Sequence, residues 1–184
     1  MINYDYIHRS TIHYEQHGYK RIESPWTVSE EIQQITIPDK DAINFKLEHN
    51  QKCLVGSGEQ SFLYLYLKGF LPKGQFQTVT PCFRYNNFDI LHTKYFIKNE
   101  LIKTDVTNKN ALLDMCDVAL AFYKQFIPDA KIIRSDEGWD IEVDGKELGS
   151  YGHRKCSFLT WLYGTGCAEP RLSMLIQQYG IPQT

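Results

Sequence analysis

Apolar residues recur at helical spacing in four parts of the chain. The first pattern begins near Tyr4 and ends near His17, and Gly18 follows as a helix-terminating residue. A second helix is predicted in SGEQSFLYLYLKG, and a third begins after the capping residue Asn108 and closes at Pro128. The segment PRLSMLIQQYG, with proline first and glycine last, predicts a fourth helix.

Polar and apolar residues alternate in the regions between these helices. Residues 76–86 and 92–103 have this period of two, and the short connection NFDIL between them predicts an antiparallel hairpin. In its second strand, Ile97 and Leu101 share an apolar face. The opposite face of that strand carries His92, Lys94, Phe96, Lys98 and Glu100.

Further strands are predicted at KIIR, WDIEV, KELGS and SFLTWLY, with a tight turn at Asp144-Gly145. The segment GYKRIESPWTV has the character of an edge strand, because Pro25 is tolerated only at an edge or a bulge. The glycine-rich segment GTGCAEP is predicted to be a turn where backbone approaches a ligand closely. Antiparallel strands interspersed with a few helices predict one α+β domain over residues 1–184, its sheet carrying helices on one side.

Composition narrows the class of protein. A chain of 184 residues that is 42% hydrophobic can bury its own core. A net charge of −2 provides no basic field for an extended nucleic-acid surface. The five cysteines are scattered without a CxxC pair, so neither a disulfide framework nor structural zinc is indicated. No apolar run approaches the length of a membrane span, and we expect a cytoplasmic protein without membrane contact.

Two arginines are candidates for binding an anion. Arg171 lies in the first turn of the final helix, where a cation is unfavourable unless an anion binds there. Backbone N–H groups at that helix start also suit phosphate. Arg84 lies on the polar face of the hairpin, and its planar fork of donors matches phosphate oxygens. Taken alone, each feature also fits a solvated arginine or a structural turn.

The sequence resembles the three motifs of class II aminoacyl-tRNA synthetases, in order along nearly the whole chain. HGYKRIESPW is similar to motif 1, a helix leading into a strand with a proline, here Pro25. CFRYNNFDILHTKYF resembles motif 2 through Phe83, Arg84, His92 and Phe96. GTGCAEPR resembles motif 3 through Gly164, Gly166 and Arg171, with Ala168 in place of the third glycine.

Within that family, the seryl-tRNA synthetase active site is the sub-pattern that fits best. Its adenine-stacking phenylalanine is followed by x-Lys-x-Glu, which corresponds to Phe96, Lys98 and Glu100. Its Thr-x-Glu corresponds to the segment from Ser57 to Glu59, and its Glu-x-x-Ser to the segment from Glu147 to Ser150.

The resemblance implies ATP-dependent activation of an amino acid to its aminoacyl-adenylate, with Arg84 and Arg171 as catalytic residues. The ATP-binding residues it implies are Arg84, Asn86, His92, Phe96, Glu147, Ser150, Gly164, Gly166 and Arg171. Magnesium would bind with ATP at Glu147 and Ser150. The implied amino-acid-binding residues are Ser57, Glu59, Lys98 and Glu100, a set that suggests a small or polar substrate. The resemblance also implies a homodimer that forms through the Pro25 region.

Two departures from the family pattern leave alternatives open. Asn86 stands where motif 2 normally has glutamate, and Ala168 replaces a motif 3 glycine. A catalytically silent paralogue that binds ATP or an amino acid as a regulatory or accessory subunit is therefore the alternative. The sequence contains no recognisable anticodon-binding domain, so the acceptor stays open between a tRNA end, a carrier protein and none. Biotin and lipoate ligases share a related fold, but their glycine-rich biotin loop is not found.

Overall fold

The computed structural model describes residues 1–37, 45–85, 93–104, 106 and 110–181. The helices are α1 (Tyr4–Gln16), α2 (Glu30–Gln34), α3 (Gly58–Leu67), α4 (Ala111–Tyr123) and α5 (Arg171–Tyr179). The strands are β1 (Lys20–Arg21), β2 (Thr27–Ser29), β3 (Lys52–Leu54), β4 (Gln75–Phe83), β5 (Tyr95–Lys103), β6 (Lys131–Arg134), β7 (Gly138–Val143), β8 (Lys146–Lys155) and β9 (Thr160–Glu169).

Seven of these strands form one sheet in the order β1-β4-β5-β9-β8-β7-β6. Only β1 and β4 pair in parallel, and the other neighbours in this sheet are antiparallel. The strands β2 and β3 form a separate small sheet. The prediction of an α+β fold with an antiparallel sheet is confirmed.

Helices cover both faces of the large sheet. On one face, Asn99 of β5 donates a hydrogen bond to Ser10 of α1 over 3.1 Å. On the other face, α3 packs so closely that a Cβ atom added to Gly58 would lie 2.8 Å from the Cβ of Glu100. Successive strand residues point to opposite faces, so α1 and α3 lie on opposite sides of β5. We call the α3 side the front face and the α1 side the back face.

A separate apolar core lies on each face. The back core joins α1, α4 and α5 to the sheet through buried side chains such as Tyr14, Phe122 and Leu175. The front core joins α3 to β9 through Phe62 and Trp161. The prediction that helices lie on one side only is therefore wrong. It failed because α3 is apolar enough to bury a core of its own.

The glycine-rich segment that precedes α5 is a strand. Residues predicted to form a turn extend β9 to Glu169, in the middle of the sheet. A Cβ atom at Gly164 would lie 2.6 Å from the ring of Tyr151, and one at Gly166 would lie 2.8 Å from the ring of Tyr14. The two glycines therefore serve close packing on the back face, and the prediction of a turn is wrong.

Most other elements lie where the alternation predicts them. The turn at Asp144-Gly145 has positive φ at both residues, +49° and +70°, as a tight hairpin requires. The strand β1 lies at the sheet edge and ends before Pro25. The predicted cap Asn108 lies outside the described residues, and α4 begins after Asn110. Within the described parts of the chain, no helix is both long and apolar enough to cross a bilayer.

Candidate active site

Arg84 follows directly after β4, at one end of the sheet. Its Nε atom donates a hydrogen bond to the carbonyl of Gly56 over 2.9 Å. Its guanidinium carbon lies 5.1 Å from the centre of the Phe96 ring, on the neighbouring strand β5. The hydrogen bond to the Gly56 carbonyl thus holds the guanidinium of Arg84 close to the Phe96 ring.

Arg171 is the first residue of α5 and lies next to the same end of the sheet. It forms an ion pair with Glu147 at the start of β8. The pair is partly shielded, because only 17% of the Arg171 side chain is exposed. Ile141 faces the back core, so its neighbour Glu142 faces the front. Glu147 pairs in register with Glu142 and therefore also lies on the front face, together with its partner Arg171.

The two arginines follow strands that end at the same end of the sheet. Phe83, the last residue of β4, pairs with Tyr95, and Glu169, the last residue of β9, pairs with Ile97. Neighbouring strands lie about 4.8 Å apart, and only β5 separates β4 from β9, so the two strand ends are roughly 10 Å apart. A nucleoside triphosphate can contact groups at both strand ends over such a distance.

Three of the predicted amino-acid-binding residues meet in the middle of the front face. The hydroxyl of Ser57 donates to one carboxylate oxygen of Glu100 over 2.5 Å. The ammonium group of Lys98 lies 2.8 Å from the other oxygen. Glu100 is fully buried, and Ser57 and Lys98 are the polar neighbours of its carboxylate.

Glu59, the fourth predicted amino-acid-binding residue, faces two internal partners. The indole nitrogen of Trp161 donates to one of its carboxylate oxygens over 2.6 Å, and Arg154 pairs with the other. Burial raises the pKa of Glu59 from 4.5 to about 7, against the opposing effect of Arg154, and the nearby charge of Glu100 raises it further. Both oxygens of Glu59 are thus occupied by the protein.

Sequence reasoning missed Arg154 and Trp161. A signal existed, because the strand predicted at KELGS continues to Lys155, and period two places Arg154 on the face of Ser150. No local pattern indicates that Trp161, on the next strand, reaches the same carboxylate.

The front face also carries oxygen groups suited to a hard cation. Glu147 and Ser150 lie on β8, and Asp140 pairs with Ser150 in register from β7. Burial raises the pKa of Asp140, a hydrogen bond with Ser150 lowers it, and the charge of Glu147 raises it. In the described ranges, no cluster of three or more His, Cys, Asp or Glu side chains is arranged to hold a metal. One or two carboxylates still suit magnesium that is shared with substrate phosphates.

The start of α5 is capped by the protein itself. The carboxylate of Glu169 accepts hydrogen bonds from the backbone N–H of Ser173 over 2.9 Å and from its hydroxyl over 2.7 Å. The expectation that this helix start offers its N–H groups to phosphate is therefore wrong for Ser173, because an internal anion already occupies that position. The guanidinium of Arg171, paired with Glu147, is the side-chain cation at this helix start.

Two predicted ATP-binding residues, Asn86 and His92, lie outside the described residues. Gly164 and Gly166 lie in β9, with the space at their Cα atoms filled by tyrosines of the back core. A role for these four residues in ATP binding stays a prediction.

Solved structures similar to this chain include aminoacyl-tRNA synthetases. Pyrrolysyl-tRNA synthetase from Desulfitobacterium hafniense is 16% identical with a TM-score of 0.74, covering 95% of this chain and 69% of that one. Cytoplasmic serine-tRNA ligase from Naegleria fowleri, in complex with AMP, is 16% identical with a TM-score of 0.69, covering 97% and 50%. Seryl-tRNA synthetase from Pyrococcus horikoshii, complexed with ATP, is 15% identical with a TM-score of 0.71, covering 92% and 48%.

This chain thus has the fold of a class II aminoacyl-tRNA synthetase catalytic domain and spans about half the length of the two seryl enzymes. No family model matches its sequence, and no curated protein matches it either. At 15–16% identity, the structural likeness establishes the fold rather than the activity.

Proposed function

We propose that this protein uses ATP to convert an amino acid into its aminoacyl-adenylate. The observation that supports this most is the placement of Arg84 and Arg171 at one end of the front face, on either side of β5 and its Phe96. Two guanidinium groups so placed suit a triphosphate, and an aromatic ring between them suits its base. The synthetase fold, which solved ATP and AMP complexes share, is consistent with this activity.

In the proposed reaction, an oxygen of the amino-acid carboxylate attacks the α-phosphorus of ATP. The bond from that phosphorus to the bridging oxygen breaks, and pyrophosphate leaves. Arg84 would neutralise charge at the α-phosphate during the attack, while Arg171 would bind the γ-phosphate and favour departure of pyrophosphate. Phe96 would stack on one face of the adenine, with Arg171 on the other.

The remaining site residues would hold the reactants in place. Ser57, Lys98 and Glu100 line the middle of the front face, where the amino acid would lie next to the α-phosphate. Magnesium bound with ATP at Glu147 and Ser150 would neutralise phosphate charge. Glu147 would exchange its pairing with Arg171 for the cation, which would leave the guanidinium to the γ-phosphate.

Exchange of labelled pyrophosphate into ATP tests this proposal. We expect exchange that depends on one amino acid and falls by about 10²- to 10³-fold in Arg84→Ala and in Arg171→Ala, the loss typical of removing one charge-stabilising donor. Arg134→Ala is the matched control, since Arg134 stacks on Trp139 at the opposite edge of the sheet. A folded protein that binds ATP and gives no exchange with any standard amino acid would contradict activation and support a silent ATP-binding paralogue.

The acceptor of the activated amino acid is a tRNA end, a carrier protein or neither. Supplying labelled amino acid and ATP identifies it, because the macromolecule that becomes labelled is the acceptor.

A further inference from the structure

An open pocket of about 280 Å³ lies on the front face, beyond the proposed amino-acid site. Its walls include the apolar side chains Ile35 and Ile37 and the polar side chains Glu137, Arg154 and Tyr163. Arg154 is its one arginine among the described lining residues, and its guanidinium carbon lies 4.1 Å from the centre of the Tyr163 ring. The pocket thus presents a cation next to an aromatic ring.

The strand register places this pocket next to the amino-acid site. Glu100 pairs with Thr165 on β9, and Tyr163 is the next residue of β9 on the same face. Alternate residues of one strand face are about 7 Å apart. An amino acid that lies over β5 with its carboxylate at the α-phosphate near Arg84 therefore has this pocket, with Tyr163 and Arg154, within reach of its side chain.

Arg154 has one fixed partner and one exchangeable partner. Its fixed partner is Glu59, which is buried and also accepts the indole N–H of Trp161. Its exchangeable partner is Glu137, 3.5 Å away, whose side chain is 62% exposed. The hydroxyl of Tyr163 reaches Glu137 only over 3.4 Å. Because exposed ion pairs contribute little, another carboxylate can replace Glu137 at small cost.

The fixed pair determines which ligands suit the pocket. Glu59 contacts Arg154 from the interior of the protein, so the guanidinium stays in place when Glu137 is replaced. A planar guanidinium is the group best matched to a carboxylate, and it repels an ammonium or a second guanidinium. A ligand carboxylate that replaces Glu137 gives Arg154 a new acceptor while the exposed Glu137 turns to solvent, whereas an apolar side chain that displaced Glu137 would leave the donors of Arg154 without one.

On the basis of the proposed function, we propose that Arg154 determines substrate specificity and that the protein selects an amino acid whose side chain ends in a carboxylate. Glu59 is then a positioning residue that holds Arg154 in place, rather than a group that binds the substrate ammonium. Glu137 competes with the substrate carboxylate for Arg154.

Calorimetric titration with aspartate and glutamate, in the presence of a non-hydrolysable ATP analogue, tests this proposal without requiring turnover. Asparagine, glutamine and lysine serve as matched ligands. We expect one acidic amino acid to bind, and its Kd to rise by about 10-fold in Arg154→Gln, as expected for the loss of a charge-assisted hydrogen bond to the ligand carboxylate. Glu137→Gln is expected to lower that Kd, because the competing carboxylate is gone.

Glu137→Gln leaves the contact between Arg154 and Glu59 intact, so it reports on the pocket even if Arg154→Gln fails to fold. Arg154→Lys keeps the positive charge but loses the planar guanidinium donors. Tightest binding of an amino acid without a side-chain carboxylate, or no binding of either acidic amino acid, would overturn the specificity assignment. Pyrophosphate exchange measured with the same proteins separates the two proposals. Exchange with a non-acidic amino acid contradicts only the assignment to Arg154, whereas acidic amino-acid binding without exchange contradicts only adenylate formation.

Discussion

Glu59 is a buried carboxyl group whose pKa differs between the folded and the unfolded chain. Its pKa of about 7 lies above the ordinary value of 4.5, because burial disfavours the charged carboxylate. Between these pH values the folded chain binds a proton that the unfolded chain has released. The stability that Glu59 contributes is therefore fully present below pH 4.5 and is lost as the pH rises through about 7.

We predict that Glu59→Gln removes this dependence, because an amide does not titrate. The free energy of unfolding of the variant, relative to the parent, should increase with pH by up to about 3 kcal/mol across this range. Urea unfolding of both proteins at about pH 5 and about pH 8 measures the difference. If the variant and the parent differed in free energy of unfolding by the same amount at both pH values, Glu59 would have no raised pKa.

Residue patterns predicted one half of the candidate site better than the other. Phe96, Lys98 and Glu100 belong to one strand with a period of two, so their common face follows from the sequence alone. The contact of Glu59 with Trp161 and Arg154 joins three separate elements. No periodicity within any one element predicts a contact that depends on how the elements pack.

Close packing against β9 determines which residues that strand accepts. A Cβ atom at position 166 would lie 2.8 Å from the ring of Tyr14 and 3.0 Å from the carbonyl oxygen of Asn99. We predict that Gly166→Ala lowers the free energy of unfolding by about 1–3 kcal/mol, the usual cost of overpacking a core. Denaturant titration measures this loss.

Gly56→Ala is the matched control, because its added Cβ would meet no atom closer than 3.4 Å. An equal loss of stability in both variants would contradict the packing explanation.

The sequence pattern predicts some helices and strands better than others. The β4–β5 hairpin was predictable because its alternation is regular on both strands. In the segment that forms the end of β9, the glycines predict a turn, because glycine normally marks one. What makes it a strand is the pair of tyrosines from α1 and β8 that fill the space beside Gly164 and Gly166, and these residues are distant in the sequence.

An exposed tryptophan on the surface of the molecule allows a test of whether the protein forms a dimer. Trp26 lies next to Pro25, in the segment that resembles motif 1, and 59% of it is exposed. If the proposed dimer forms there, its mass in solution is twice the 21.5 kDa of the chain. We predict that Trp26→Glu shifts this dimer to the monomer by placing a charge in an apolar contact.

Sedimentation analysis over a range of protein concentrations measures that shift. Phe70→Glu is the control, because Phe70 is also an exposed aromatic residue but follows α3. Loss of the dimer in both variants, or a parent protein that is a monomer throughout, would contradict an interface at Trp26.

The two halves of the proposed phosphate site meet only at the junction where β9 pairs with β5. Arg84 and Phe96 belong to the β4–β5 hairpin, whereas Arg171 follows β9, which is separated from β5 along the chain by α4 and by β6, β7 and β8. During synthesis, a ribosome-bound chain that stops before Arg171 carries half of the proposed phosphate site. A nucleotide that bridges both arginines would stabilise only chains in which this junction has closed, and so would favour completion of the sheet.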